Sequence, residues 1–139
     1  MSRSGYSDDC DFDDNSGCLY LGAVKSAING RRGQAFLREL RDTLEAMPEK
    51  RLIADDLQAP SGAVCAIGAV GKARGVDMSN LDPENWNAVA GTFGISPTLA
   101  REIAYTNDDD FGFRTETDEQ RYARVLAWVR SQIAVEKVA

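Results

Sequence analysis

The clearest hydrophobic pattern in the chain lies over residues 34–47. Phe36, Leu37, Leu40 and Leu44 recur at three- and four-residue steps, while Arg38, Glu39, Arg41, Asp42 and Glu45 fill the opposite face. That spacing predicts an amphipathic helix, and Pro48 ends it. Ahead of it, two adjoining apolar stripes (Leu19, Ala23, Ala27 and Leu21, Val24, Ile28) predict a helix over 18–28. Asn29-Gly30 closes that helix, because both residues tolerate a left-handed terminus. Arg31-Arg32-Gly33 then reads as a connector.

Residues 51–54 read as a short extended piece and 55–62 as a turn with Pro60-Ser61-Gly62 at its tip. The stretch 63–75 is small and apolar on nearly all sides, the pattern of a buried helix whose Gly68 and Ala69 admit close neighbours, with Gly75 ending it. A strand over 63–66 before a shorter helix is the alternative. Asp82-Pro83 is expected to cap a helix carrying Trp86, Val89, Ala90 and Phe93. Gly94 stops it, and Ser96-Pro97 opens the next, with Leu99 and Ile103 inward and a break at Asn107-Asp108-Asp109-Asp110. Thr117 and Gln120 make a capping box for a last helix to about residue 134, burying Tyr122, Val125, Leu126, Val129 and Ile133. The expected fold is mainly α: a compact bundle of five or six helices with at most one short β-hairpin near residues 51–66. Phe36, Leu40, Leu44, Ile67, Trp86, Phe93, Ile103, Val125 and Val129 are its expected core.

Composition sharpens this picture in two places. The chain of 139 residues contains no histidine, which excludes Ser-His-Asp and Cys-His catalysis, histidine-ligated zinc and a histidine pH switch. Net charge is −6 but uneven: −4 over residues 1–15, +3 over 16–75 and −5 over 76–139. Residues 1–16, rich in Ser, Gly and Asp, read as an acidic flexible arm ahead of a single helical domain over 17–139. No apolar run is long enough for a membrane span and no signal-peptide pattern opens the chain, so a cytoplasmic protein is expected. The odd cysteine count (Cys10, Cys18, Cys65) favours reduced thiols in that compartment. Cys10 and Cys18 lack the paired spacing of a zinc site, and neither metal nor other cofactor is expected.

Four constellations bear on chemistry. Cys65 at the start of a helix is the one candidate nucleophile, since a helix N-terminus favours thiolate; against it, no histidine is available as base, and a buried cysteine is ordinarily a core residue. Arg31, Arg32, Arg38 and Arg41, with Lys25, form the most basic segment and the candidate nucleic-acid face, with solvated helix charges as the plainer reading. Residues 86–106 have helix-turn-helix spacing, but their second helix offers Thr98, Arg101, Glu102 and Thr106 before a run of aspartates that phosphate would repel. The 107–112 loop misses the calcium-loop pattern, because Phe111 falls where a ligand is needed. Direct nucleic-acid binding is therefore the weaker reading. Asp8, Asp9, Asp108, Asp109 and Asp110 are the candidate acidic binding residues, and Trp128, one residue off the main stripe of the last helix, is a candidate anchor.

Several short motifs stand in one order: Gly5-Tyr6-Ser7-Asp8-Asp9, Arg32-Gly33-Gln34-Ala35-Phe36-Leu37-Arg38-Glu39-Leu40, Lys50-Arg51-Leu52-Ile53-Ala54 and Val64-Cys65-Ala66-Ile67-Gly68-Ala69-Val70. Phe93-Gly94-Ile95, Ala100-Arg101-Glu102-Ile103 with Asn107-Asp108, and Glu119-Gln120-Arg121-Tyr122 with Trp128-Val129 follow. In this combination the chain resembles a family of small proteins encoded by bacteriophages and prophages, a family that brings no established activity or catalytic residues. The resemblance implies a setting inside a bacterial host cell. It also implies a stoichiometric mode of action, in which an acidic surface occupies the basic channel of a host or phage nucleic-acid-binding or defence complex, as anti-CRISPR inhibitors do. A thiol-dependent enzyme using Cys65 and a nucleic-acid-binding phage regulator are the alternatives, and a homodimer is compatible with all three.

Overall fold

The computed structural model describes residues 15–108 and 116–134, with side chains from residue 22 onward. Six helices follow one another: α1 (Asn15–Asn29), α2 (Arg31–Ala46), α3 (Ala66–Arg74), α4 (Trp86–Phe93), α5 (Pro97–Asp108) and α6 (Asp118–Gln132). The mainly helical fold expected from periodicity is what forms, with no strand among the described residues. None of these helices is long and apolar enough to cross a membrane. α2 packs against α1, α3 and α6, while α5 packs against α1, α3, α4 and α6, so these two helices organise the bundle.

The first departure from expectation is at the α1–α2 junction. Arg31, Arg32 and Gly33 are not a connector; they are the first turn of α2, and Gly30 alone separates the helices. Close approach explains it. A side chain at Gly33 would come within 1.9 Å of the Ala27 carbonyl oxygen, so only glycine lets the first turn of α2 cross the last turn of α1. Gln34 then donates to the Ile28 carbonyl at 2.8 Å and to Gln132 at 3.0 Å, and accepts from Ala134 N at 2.8 Å. One buried amide thereby ties α1, α2 and the end of α6 together.

The hairpin expected near 51–66 shrinks to one antiparallel bridge, Gln58 with Val64, closed by Ala59 N to Ala63 O at 2.8 Å. The reason lies in where the backbone bonds of 52–55 go. Leu52 N donates to Asp118 O, the Leu52 carbonyl accepts from Arg121, and the Ile53 carbonyl accepts from Asn107, so the ends of α5 and α6 occupy most of the groups a second strand would use and leave Ile53 N, which donates to Val64 O at 2.9 Å. Asp55, at φ 66, then turns the chain through a left-handed conformation that ends any strand register.

α3 begins three residues later than the apolar run suggests, capped by Cys65, whose sulfur accepts from Gly68 N at 3.4 Å. Gly68 has no room for a side chain: a Cβ would lie 1.9 Å from the Leu57 carbonyl oxygen. The start of α4 also differs. Asn85, not Asp82, is its cap, because Asp82 and Pro83 are used one turn earlier, where Asp82 accepts from Glu84 N at 2.9 Å. Ser96 and the Thr117–Gln120 capping box do as their sequence suggests.

Residues of all six helices and of the intervening loops join one buried cluster. Every expected core residue belongs to it except Trp86, which is half-buried at its margin.

Candidate interaction surface

The acids expected to bind are differently placed. Asp8, Asp9, Asp109 and Asp110 lie outside the described residues. Asp108 is engaged in the fold: its carboxylate accepts from Asn107 Nδ2 at 2.9 Å and from the backbone N–H of Asp55 at 3.1 Å, holding the left-handed Asp55 turn against the end of α5. Asn107 itself is completely buried, accepting from Ala66 N at 3.0 Å and donating to Ile53 O at 2.8 Å. A residue read as a loop breaker is thus the polar link between α3, α5 and the 53–55 segment. Trp128 is half-buried against the core margin of α6, and its flanking Ala127 is exposed.

The basic segment does not form an uninterrupted cationic face. Arg31 and Arg32 are exposed, but Arg41 pairs with Asp42 at 3.0 Å, and Asp42 and Glu45 stand along the same stretch of α2 as Arg38. In the 86–106 unit, α5 buries Leu99, Ala100, Ile103, Ala104, Tyr105, Thr106 and Asn107. A helix that reads base edges needs a free row of donors, whereas α5 leaves Arg101 as its single cation beside Glu102 and Asp108. Cys65 has zero exposure, its sulfur spent on the α3 cap and surrounded by the core cluster.

Ion pairing explains where the unbalanced charge ends up. Arg74 pairs with Glu39 at 2.5 Å, donates to the Phe93 carbonyl, and lies 5.8 Å from the ring centres of both Phe36 and Phe93. The arginine holds the Glu39 carboxyl below the ordinary carboxylate range. Arg124 binds Glu116 at 2.7 Å and reaches the Thr106 and Asn107 carbonyls, fastening α6 to the end of α5. Arg121 joins the same group, with Nη1 on Asp118 and Leu52 and the buried Nε 3.5 Å from Glu116. Arg124 draws the Glu116 carboxyl down in pKa. Arg51 pairs with Glu49 and Arg130 with Glu45. At least six of the ten described arginines are thus paired with neighbouring acids.

The segment from α3 to α5 escapes this balance. Residues 75–100 carry Asp77, Asp82 and Glu84 and not one Lys or Arg. All three acids are exposed on the loop between α3 and α4. Asp77 accepts from the Ser79 hydroxyl at 2.7 Å and from Ser79 N at 3.0 Å, bonds that keep it ionised. Asp82 and Glu84 rim a hollow of about 570 Å³ floored by Trp86 and Pro97, with Asn85, Asn87, Thr98 and Arg101 completing it. No signal singled this stretch out in the sequence, because Asp82 and Glu84 only come to rim a hollow with Trp86 and Pro97 when the loop folds against the starts of α4 and α5.

A second, larger hollow of about 890 Å³ runs between the end of α2 and α3. Its floor is apolar, made by Ala46, Met47, Pro48, Val64 and Ala69, and its rim carries Asp42, Glu49, Arg51 and Lys72. Comparisons of the chain with protein-family models, with curated proteins and with solved structures find no match.

Proposed function

We propose that the chain is a small acidic accessory protein of phage type that acts inside a bacterial host cell by non-enzymatic protein–protein binding, occupying a basic surface of a nucleic-acid-binding or defence complex in the manner of an anti-CRISPR inhibitor. The observation that carries this reading is the cation-free 75–100 segment. Its three acids are exposed, two of them, Asp82 and Glu84, on the rim of the hollow floored by the half-buried Trp86, while most arginines elsewhere are neutralised by neighbours. A predominantly acidic surface, with Arg101 the one cation lining its hollow, steers an oppositely charged partner into place and repels nucleic acid, and the aromatic ring of Trp86 offers an anchor that also accepts Lys or Arg over its face.

The test is affinity capture of the tagged chain from bacterial lysate at low and high salt, read by mass spectrometry. It is paired with the charge-neutral variant Asp77→Asn, Asp82→Asn, Glu84→Gln. A stoichiometric protein bound at low salt, released at high salt and lost in the variant is the expected result. A partner captured equally by the variant would remove the 75–100 surface from the reading. Direct retention of random-sequence duplex at low salt, where nonspecific affinity peaks, would overturn it in favour of nucleic-acid binding.

A further inference from the structure

The hollow between α2 and α3 differs in kind from the acidic surface. Its floor is aliphatic, and the charges on its rim do not cancel in place. Asp42 is neutralised by Arg41 at 3.0 Å and Glu49 by Arg51 at 2.7 Å. Lys72, exposed on α3, donates only to the Gly62 carbonyl at 3.3 Å, and no ion pair to it exists among the described residues. The groove therefore has an apolar floor and one uncompensated cation at its α3 edge. Its volume of about 890 Å³ suits several side chains of a bound segment. The walls are two packed helices and a turn pinned by the Gln58–Val64 bridge, so the shape is built in advance.

We infer that this groove docks an amphipathic segment of a partner protein, its aliphatic side chains over Met47, Val64 and Ala69 and a carboxylate on Lys72. Charge complementarity selects the occupant: a cationic segment would meet Lys72 unpaired, while an acidic one completes it. The inference rests on the protein-binding reading above and adds to it a second contact of opposite preference. The acidic surface takes a partner's cations, and the groove takes an aliphatic, carboxylate-bearing segment.

The experiment uses the full chain with labelled methyl groups and two synthetic twelve-residue amphipathic peptides with leucines on one face, one carrying a Glu at its end and the other a Lys there. The Glu peptide is expected to shift the Met47 and Val64 methyl signals and to bind about tenfold more tightly than the Lys peptide. Lys72→Glu, a change at an exposed side chain, should reverse that order. Peptide shifts absent from Met47 and Val64, or a preference unaltered by Lys72→Glu, would overturn the inference. So would the same shifts arising from raised protein concentration alone, which would mean a second copy covers the groove. The Asp77→Asn, Asp82→Asn, Glu84→Gln variant should bind the Glu peptide as the unmodified chain does. Failure of the groove thus leaves the acidic surface standing, and failure of the acidic surface leaves the groove to be judged on its own.

Discussion

The corner where α5 gives way to α6 and the groove between α2 and α3 treat their polar groups in opposite ways. At the corner, Asn107, Asp108, Glu116, Arg121 and Arg124 satisfy one another and the backbone of 52–66 with direct hydrogen bonds, and little of that is exposed. At the groove, aliphatic side chains line an open hollow and Lys72 has no acid to meet. A buried polar group without a partner costs more than its bond returns, so a cluster saturated but for the buried Arg121 Nε, which keeps only its 3.5 Å ion pair with Glu116, is architecture. At the groove, Val64 and Ala69 belong to the core and also floor the open hollow, and it is the rim charge of Lys72, with no acid beside it, that the fold leaves for another molecule. The comparison separates residues that hold this protein together from residues free to do something else.

The sharpest way to break that division is Asn107→Ala. It strands the Ala66 N–H and the Ile53 carbonyl in a dry interior and should cost about 4 kcal/mol, read as a lowered urea midpoint at constant slope. Gly68→Ala comes next, at about 3 kcal/mol, because its methyl would press against the rigid Leu57 carbonyl. A loss below about 1 kcal/mol in either would mean the α3 junction is looser than its contacts imply.

Glu116→Gln should cost about 2 kcal/mol at neutral pH by weakening the clasp on Arg124 and Arg121, whose carboxylate partner is only 10% exposed. Its pH dependence has a definite sign. Because the folded pKa lies below the ordinary 4.5, the contribution is present above that value and disappears as pH falls through the lowered one. The gap between the unmodified chain and Glu116→Gln in urea midpoints should therefore close on acidification, and a gap that widens would refute the assignment. Smallest of all is Lys72→Glu, within about 0.5 kcal/mol in stability, with its whole effect on peptide preference. Cys65 supplies the final contrast with a reactive thiol: in the folded chain it should resist iodoacetamide while denatured chain reacts at once, and rapid alkylation under native conditions would reopen the thiol chemistry.

Helices, their breaks and most of their caps were legible in advance because they depend on neighbours three or four residues away. The Phe36–Leu44 stripe, the Gly75 and Gly94 stops, the Ser96 cap and the Thr117–Gln120 box are all such short-range features. The misread places were those where a residue's role is set from afar. Gly33 looked like a linker because its sequence neighbours cannot show Ala27 pressing on it from α1. Residues 51–54 read as an extended piece that could pair in a hairpin because β-bonding capacity is visible in a sequence while the identity of the bonding partner is not.

By itself, then, the sequence determined the helical class, the core stripe of α2, the acidic balance and the absence of histidine chemistry. Tertiary structure alone decided that Asn107 bridges three segments, that Asp108 is turned to the Asp55 backbone, and that Asp82 and Glu84 rim a hollow at Trp86 while Lys72 stands over an apolar groove. The physical reason is range. Periodicity and capping act within a turn, whereas the bonds from Asn107 to Ala66, from Asn107 to Ile53 and from Arg121 to Leu52 span 41, 54 and 69 residues, distances over which only the folded chain brings charge and hydrogen-bond partners together.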